Sequence, residues 1–142
     1  MRPLAALLTA LVVMLGADPA RAEHEVFYRY TLLGYVRDAQ GAPVAGSEVK
    51  VVRDKTGFSY LAETDSRGLY VLVLRLGDES VGERLTVQAG TATGHVSVRF
   101  DPDNRVKERG TRMDLEHTRF VERAAWFPST LTLFLNGRPQ TR

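Results

Sequence analysis

The sequence predicts an all-β sandwich built from seven short strands. Runs of alternating apolar and polar residues recur along the chain, and turn-forming Gly, Pro and Asp residues separate them. No stretch of helical periodicity of any length lies between these runs. A length of 142 residues, with 44% hydrophobic and 25% charged residues, is ordinary for one folded domain. The chain therefore has enough apolar material for a packed core.

Residues 1–22 have the pattern of a secretory signal peptide. Arg2 supplies a positive start, residues 4–15 form an apolar run, and Ala20-Arg21-Ala22 is a small-x-small cleavage site. The run is shorter than the ~20 residues that a membrane-spanning helix needs. We therefore expect cleavage after Ala22 and a secreted or periplasmic mature protein.

The segment at residues 64–74 organises the predicted sandwich. Asp65 and Gly68 supply what a tight turn needs, a side chain that bonds the local backbone and a residue free to adopt positive φ. The strand that follows is apolar on both faces, with Tyr70, Leu72 and Leu74 on one and Val71 and Val73 on the other. Such a strand is predicted to lie centrally in its sheet.

Six further strands complete the pattern. Pro and Gly mark the turn at residues 38–43, and a second short turn at residues 55–57 predicts a hairpin. Val49 and Val51 are expected to point inward. The predicted strands cover residues 26–38, 47–53, 58–63, 85–89, 96–100 and 113–115.

Two motifs carry a resemblance to a known family. They are Gly34-x-Val36-x-Asp38-x-x-Gly41-x-Pro43-Val44-x-Gly46-x-x-Val49-x-Val51 and Thr64-Asp65-x-x-Gly68-x-Tyr70-x-Leu72. Together they resemble the carboxypeptidase regulatory-like domain family over roughly residues 32–116. The resemblance implies an immunoglobulin- or transthyretin-like Greek-key sandwich of seven strands, here assigned to residues 23–117. It also implies an accessory module without peptidase activity, because the matching residues are scaffold positions.

Residues 118–142 form an extension beyond the family pattern. Residues 118–127 are predicted to be a short amphipathic helix, and residues 130–135 one more strand. The uncharged strand would promote aggregation if it were left bare. We expect it to pack against its own sandwich; the alternative is docking on a partner protein or a membrane surface. The candidate partner-binding residues are Phe120, Trp126, Phe127 and Phe134.

Composition excludes several classes of function. There is no cysteine, so disulfides, thiol nucleophiles and cysteine-ligated zinc are absent. The formal net charge is +2, and charges of both signs are interspersed, which argues against a nucleic-acid partner. No Gly-x-Ser-x-Gly elbow or phosphate-binding glycine loop is present. We expect no catalytic residues and no cofactor.

A metal site is not indicated either. His24, His95 and His117 lack a Glu three residues on and lie far apart in the sequence. Copper binding at the N-terminus would need cleavage after Glu23, which the cleavage pattern does not favour. The oxygen-rich residues 101–104 lack the spacing of a calcium loop and are predicted to form a turn.

Two tyrosines suggest an alternative binding function. Tyr28 and Tyr30 share one face of the first predicted strand, as in a platform that stacks sugars, although core packing also uses such residues.

The sequence as a whole predicts an exported, non-enzymatic interaction module that contacts a protein partner in the cell envelope. A carbohydrate-binding module is the first alternative. A metal-binding protein or enzyme whose site is invisible in the sequence is the second.

Overall fold

Two β-sheets packed face to face make up most of the molecule. The computed structural model describes residues 28–137, so the leader predicted at residues 1–22 lies outside the described part. The sheets have the strand orders β4-β1-β7-β8 and β3-β2-β5-β6. The elements are β1 (Arg29–Arg37), β2 (Glu48–Arg53), β3 (Ser59–Glu63), β4 (Leu69–Arg75), β5 (Arg84–Ala89), β6 (Ala92–Ser97), β7 (Arg109–Glu116), β8 (Arg119–Glu122) and α1 (Phe127–Asn136).

The strand pairing combines hairpins with connections that cross between the sheets. The pairs β2–β3, β5–β6 and β7–β8 are antiparallel neighbours in sequence. In the first sheet β1 is antiparallel to β4 but parallel to β7. The predicted two-sheet all-β architecture is thus confirmed. The described residues contain eight strands instead of the seven expected.

The core lies between the sheets and follows the predicted alternation. Val49 and Val51 of β2 are fully buried, while Glu48 of the same strand is exposed. On β4 the inward residues are buried and Val73, on the other face, is 52% exposed. The largest fully buried apolar side chains include Tyr30, Leu32, Tyr70, Leu74, Leu85, Val87, Val98 and Met113.

The turn before β4 forms as the sequence predicts. The carboxylate of Asp65 accepts hydrogen bonds from the N–H groups of Arg67 and Leu69, at 2.8 and 3.0 Å. Gly68 has a φ of 79°, a backbone angle that residues other than glycine adopt only with strain. The hydroxyl of Thr64 donates to the carbonyl of Val44 and so connects this turn to the turn before β2. The segment fixes where β4 begins.

The position of β4 corrects the expectation of a central strand. β4 is at the edge of its sheet, with β1 as its sheet neighbour. Its second apolar face is partly covered by α1, since Val71 packs against the buried cluster of Leu33, Phe127 and Leu131. The helix above β4 therefore explains the apolar outer face of this strand. That face does not indicate that β4 has neighbouring strands on both sides.

The C-terminal extension also differs from the prediction. The expected helix at residues 118–127 is wrong, because residues 119–122 form β8, which pairs with β7. The expected strand at residues 130–135 is wrong as well and belongs to α1. Pro128 suits the first turn of a helix, and residues 127, 131 and 134 have the spacing of one helical face. Within residues 28–137, no helix has the length and apolar character needed to cross a membrane.

Candidate functional site

Helix α1 covers part of the outer face of the first sheet. Phe127 and Leu131 are 3% and 8% exposed and pack against Leu33 of β1, with Phe134 at the margin. Gly110 makes the close approach possible, because a Cβ there would lie 2.5 Å from the ring of Phe127. The tail therefore packs on its own sandwich, the first of the two alternatives drawn from the sequence.

A buried carboxylate holds Arg112, which donates a hydrogen bond to this helix. Asp114 of β7 is 2% exposed and accepts a hydrogen bond from the backbone N–H of Tyr35 at 2.9 Å. Its oxygens also accept from Arg112 at 2.8 Å and from Arg123 at 2.6 Å. Arg112 donates in addition to the hydroxyl of Thr130 on α1, at 3.0 Å. We call Asp114, Arg112 and Arg123 the Asp114 cluster.

The Asp114 carboxylate is ionised at neutral pH. Burial alone raises its pKa, but hydrogen bonds from Arg112, the Tyr35 amide and Arg123, with the charge of Arg112, bring the pKa below its ordinary value. These donors occupy the carboxylate oxygens, which leaves them poorly placed to act as a base. The geometry therefore supports a structural role for this charge.

Arginine and aromatic side chains alternate across the same face. The Arg112 Cζ lies 4.9 Å from the ring centroid of Tyr35 and 5.2 Å from that of Trp126. Arg123 approaches Trp126 to 5.3 Å, and Arg37 approaches Tyr35 to 5.4 Å. Such cation–π contacts contribute about 0.5–1 kcal/mol each at exposed sites. They hold Trp126, which is 54% exposed, at the surface beside the helix.

The structure separates the four candidate partner-binding residues. Phe120 of β8 packs on the sandwich core and passes over Gly94, where a Cβ would lie 2.6 Å from that of Phe120. Phe127 is buried under α1, so neither of these phenylalanines presents a partner surface in this structure. Phe134 is half-buried, and Trp126 is the exposed member of the set.

The two candidate sugar-stacking tyrosines do not form one surface. Tyr30 is 1% exposed, because it points into the sandwich, where its ring centroid lies 6.3 Å from that of Phe100. Burial raises the pKa of its phenol. Tyr28 precedes β1 and is 39% exposed near Arg75, whose Cζ is 6.0 Å from the ring centroid. Tyr30 is therefore a core residue, and Tyr28 lacks its predicted companion.

The histidines considered as metal ligands do not form a cluster within residues 28–137. His95 is exposed on β6, and its Nδ1 lies 3.2 Å from the hydroxyl oxygen of Thr86. His117 is exposed in the turn between β7 and β8, and His24 lies outside the described residues. Across residues 28–137, no group of three or more His, Cys, Asp or Glu side chains is arranged to hold a metal ion. Asp101 bonds within its own turn, as expected.

A cleft of 410 Å³ opens between the loop before β7 and the start of α1. Arg109, 4% exposed, contributes a guanidinium that donates to Asp78 at 2.8 Å and lies 4.0 Å from the ring centroid of Phe100. Lys107 and Glu108 add charges of opposite sign. The cleft therefore carries charges of both signs. Its buried cation, Arg109, is already paired with Asp78 and stabilises the fold.

A smaller hollow, of 150 Å³, lies between α1 and the outer face of β4. We call it the apolar hollow; its apolar lining consists of Val71, Val73, Leu131, Phe134 and Leu135. Leu135 is 51% exposed, and Leu133 on the same helix is 66% exposed. The sequence marked this segment through its uncharged Thr-Leu run and through Phe134, one of the candidate partner-binding residues. Val73 was not among the predicted binding residues.

The comparisons with known proteins give distant structural likenesses. No protein-family model and no curated protein matches the sequence. The dioxygenase domain of a dioxygenase–carbohydrate-binding protein fusion from Streptomyces sp. SirexAA-E is 17% identical, with a TM-score of 0.40, over 63% of this chain and 80% of that chain.

Two proteins of bacterial pili are also similar. BcpA, the major pilin subunit of Bacillus cereus, is 10% identical, with a TM-score of 0.41, over 63% of this chain and 30% of its own. The C-terminal fragment of the pilus adhesin SpaC from Lactobacillus rhamnosus GG is 11% identical, with a TM-score of 0.41, over 68% of this chain and 44% of its own. This chain spans less than half of either structure. Likenesses at this level do not carry a functional argument.

Proposed function

We propose that this protein is an exported, non-enzymatic β-sandwich module that binds a protein partner in the cell envelope. Export with cleavage after Ala22, and membership of the carboxypeptidase regulatory-like domain family, are parts of this proposal. The leader pattern supports the first, and the two Gly- and Pro-rich motifs support the second. The two-sheet architecture is compatible with that family's sandwich, with eight strands where seven were expected.

The apolar hollow is the observation that carries the proposal. Val73 and Leu135 are each about half exposed on its rim. Burying the exposed half of such a side chain contributes about 1 kcal/mol. An exposed apolar depression with a polar rim is typical of protein contact sites. The neighbouring ion pair of Arg29 and Glu108, at 2.7 Å, supplies a polar rim.

Site-specific photo-crosslinking tests this function. A photoreactive amino acid replaces Leu133, which is exposed on the helix that borders the hollow, and in a control variant it replaces Thr93, exposed on the opposite sheet. In cells of the producing organism, we expect a discrete adduct from position 133 and none from position 93. The captured protein is then purified and its affinity measured.

A substitution in the hollow decides whether the adduct reports a specific contact. Leu135→Asp is expected to weaken the purified complex at least about tenfold, because it places a charge where apolar surface is buried. Thr93→Asp should leave the affinity unchanged. Equal adducts from positions 133 and 93, or equal affinities of the two aspartate variants, would show that the hollow is not a contact site.

Trp126 supports carbohydrate binding as a second candidate. Its ring is 54% exposed and is flanked by Arg112 and Arg123, an arrangement able to stack a sugar ring and bond its hydroxyl groups. Because Trp126 is the single tryptophan, its fluorescence reports this position alone. Titration with envelope polysaccharides should shift the emission in the native protein, and no shift would exclude this candidate.

A further inference from the structure

Along the open edge of β4, the middle of the strand has backbone groups that no residue among 28–137 satisfies. Leu76 donates its N–H to the carbonyl of Tyr28 on the β1 side. Because backbone groups alternate between the two edges of a strand, the odd-numbered residues of β4 direct theirs to the open side. At one end Leu69 exchanges hydrogen bonds with Asp65, and at the other the N–H of Arg75 donates to the hydroxyl of Tyr60.

Between these two ends lie Val71 and Val73. Within residues 28–137, no hydrogen bond satisfies their outward N–H and C=O groups. Two N–H and two C=O groups in one row are what an added β-strand pairs with. The satisfied ends bound this row, so an added strand has a defined register.

The outer face of β4 also offers two adjacent hollows for side chains. The apolar hollow lies over Val71 and Val73 of β4 and extends over Arg29 and Thr31 of β1. A shallower depression of 280 Å³ lies over Val73 and Arg75, beside Tyr28. Alternate side chains of an extended segment point to the same face, so two of them reach these hollows from one strand.

The charge at one end of the row indicates the chemistry of the occupant. Arg75 is exposed and contacts the ring of Tyr28, but it forms no ion pair with any described residue. A carboxylate at the corresponding position of an added strand would complement it. In an antiparallel pair of two copies of this chain centred on Leu72, Arg75 would lie opposite Leu69. A second copy therefore does not supply the carboxylate.

We propose that β4 accepts an extended segment of a partner protein as an additional strand. The segment places two apolar side chains over Val71 and Val73 and a carboxylate near Arg75. This deepens the proposed function and rests on it. The hydrogen bonds of the row supply affinity, and the two hollows with Arg75 supply selectivity.

Amide hydrogen exchange on the mature protein tests the pairing directly. The probes are two synthetic peptides, Thr-Val-Thr-Val-Thr-Glu-Thr for a strand parallel to β4 and Thr-Glu-Thr-Val-Thr-Val-Thr for an antiparallel one, and the control is a peptide of the same composition in scrambled order. We expect one of the two probes to slow exchange at the amides of Val71 and Val73 at least about tenfold. The amides of Leu72 and Leu74, which face β1, should not change. Absence of binding, or binding without slowing at Val71 and Val73, would overturn the proposal.

A backbone substitution separates strand addition from simple apolar contact. Val73→Pro removes an outward N–H and no ladder hydrogen bond, a position where edge strands tolerate proline. Val73→Thr keeps both the N–H and the branched shape. We expect the proline variant to bind the peptide and the crosslinked partner at least about tenfold more weakly than the threonine variant. If Val73→Pro does not fold, as judged by circular dichroism, the exchange experiment on the native chain decides.

The outcomes also distinguish this inference from the proposed function. If Val73→Pro and Val73→Thr bind the partner equally while Leu135→Asp does not, the module has a protein partner but strand addition is refuted. If position 133 yields no specific adduct, the proposed function itself fails. Self-association that is lost in Val73→Pro would replace the partner segment with a second copy and overturn the proposal as stated.

Discussion

Replacing Asp114 with asparagine measures what the Asp114 cluster contributes to stability. The carboxylate accepts from the Tyr35 amide and from the guanidinium groups of Arg112 and Arg123. Asparagine keeps one acceptor oxygen and presents an amino group to an arginine donor. A hydrogen bond to a charged group contributes about 1.5–3 kcal/mol. Since solvent reaches both arginines in part, we expect Asp114→Asn to lose about 2–4 kcal/mol at neutral pH.

The loss should depend on pH in a defined direction. Burial raises the pKa of Asp114, but its hydrogen bonds and neighbouring cations bring it below the ordinary value. A carboxyl group with a lowered folded-state pKa contributes stability fully above its unfolded pKa of about 4, and the contribution is lost as pH falls through the folded pKa. The difference between native protein and variant is therefore constant above about pH 5 and shrinks below about pH 4.

Urea unfolding followed by circular dichroism, at pH values from about 7 to about 3, provides the measurement. Glu83, whose pKa the hydrogen bond from Arg53 lowers, titrates in both proteins and cancels in the difference. Glu116→Gln is the matched control, because Glu116 pairs with Arg123 at 2.7 Å but is 38% exposed; it should cost about 0–1 kcal/mol. A loss below about 1 kcal/mol for Asp114→Asn, or a difference that grows on acidification, would refute the reasoning.

Two further pairs of substitutions test the packing of α1 on the sheet and the close approach of Gly34 to β7. Phe127→Ala should lower the free energy of urea unfolding by about 3–5 kcal/mol, whereas Leu133→Ala, at 66% exposure, should change it by less than about 0.5 kcal/mol; equal losses would place the helix off the sheet. Gly34→Ala should cost about 3 kcal/mol or prevent folding, because a Cβ there overlaps the carbonyl of Met113. Gly41→Ala is the control: its Cβ meets no atom within 4 Å, and it should cost about 1 kcal/mol because Gly41 has a positive φ. Thermal unfolding compares the two alanine variants, and similar losses of stability would argue against the overlap at Gly34.

The strand pattern was predictable where a strand buries one face and exposes the other, as β2 does. Val49 and Val51 alternate with polar neighbours, and an alternation of this kind is a local signal that survives in the fold. The turn at Asp65 and Gly68 is equally local, since both residues act on their own backbone. Such features need no knowledge of distant parts of the chain.

The extension was mispredicted because two periodicities coexist in it. Leu131, Leu133 and Leu135 alternate with Thr and other residues, as in a strand, while Phe127, Leu131 and Phe134 follow the period of a helix. The helical pattern prevails because a helix lets Phe127 and Leu131 pack against Leu33. Leu133 and Leu135 are left exposed by this choice, and the apolar hollow is a result of it.

The Asp114 cluster was beyond local reasoning. Arg112 and Asp114 occupy the polar positions of β7, between Met113 and Leu115, and polar positions of a strand normally face solvent. Their burial depends on α1 above them and on the parallel register of β1 and β7. That register brings the Tyr35 amide to a carboxylate 79 residues away. No spacing within a single segment signals such a contact.

Three of the four edge strands differ in how they resist pairing with other chains. β6 exposes Thr93 and Ser97, and β8 carries the charge of Arg119. Polar and charged side chains of this kind protect edge strands from aggregation. β4 has Val71 and Val73 at its open row, with no charge until Arg75. An apolar edge strand without such protection promotes aggregation if it stays exposed. A partner strand that covers β4 in the working protein would account for this edge and for the apolar hollow beside it.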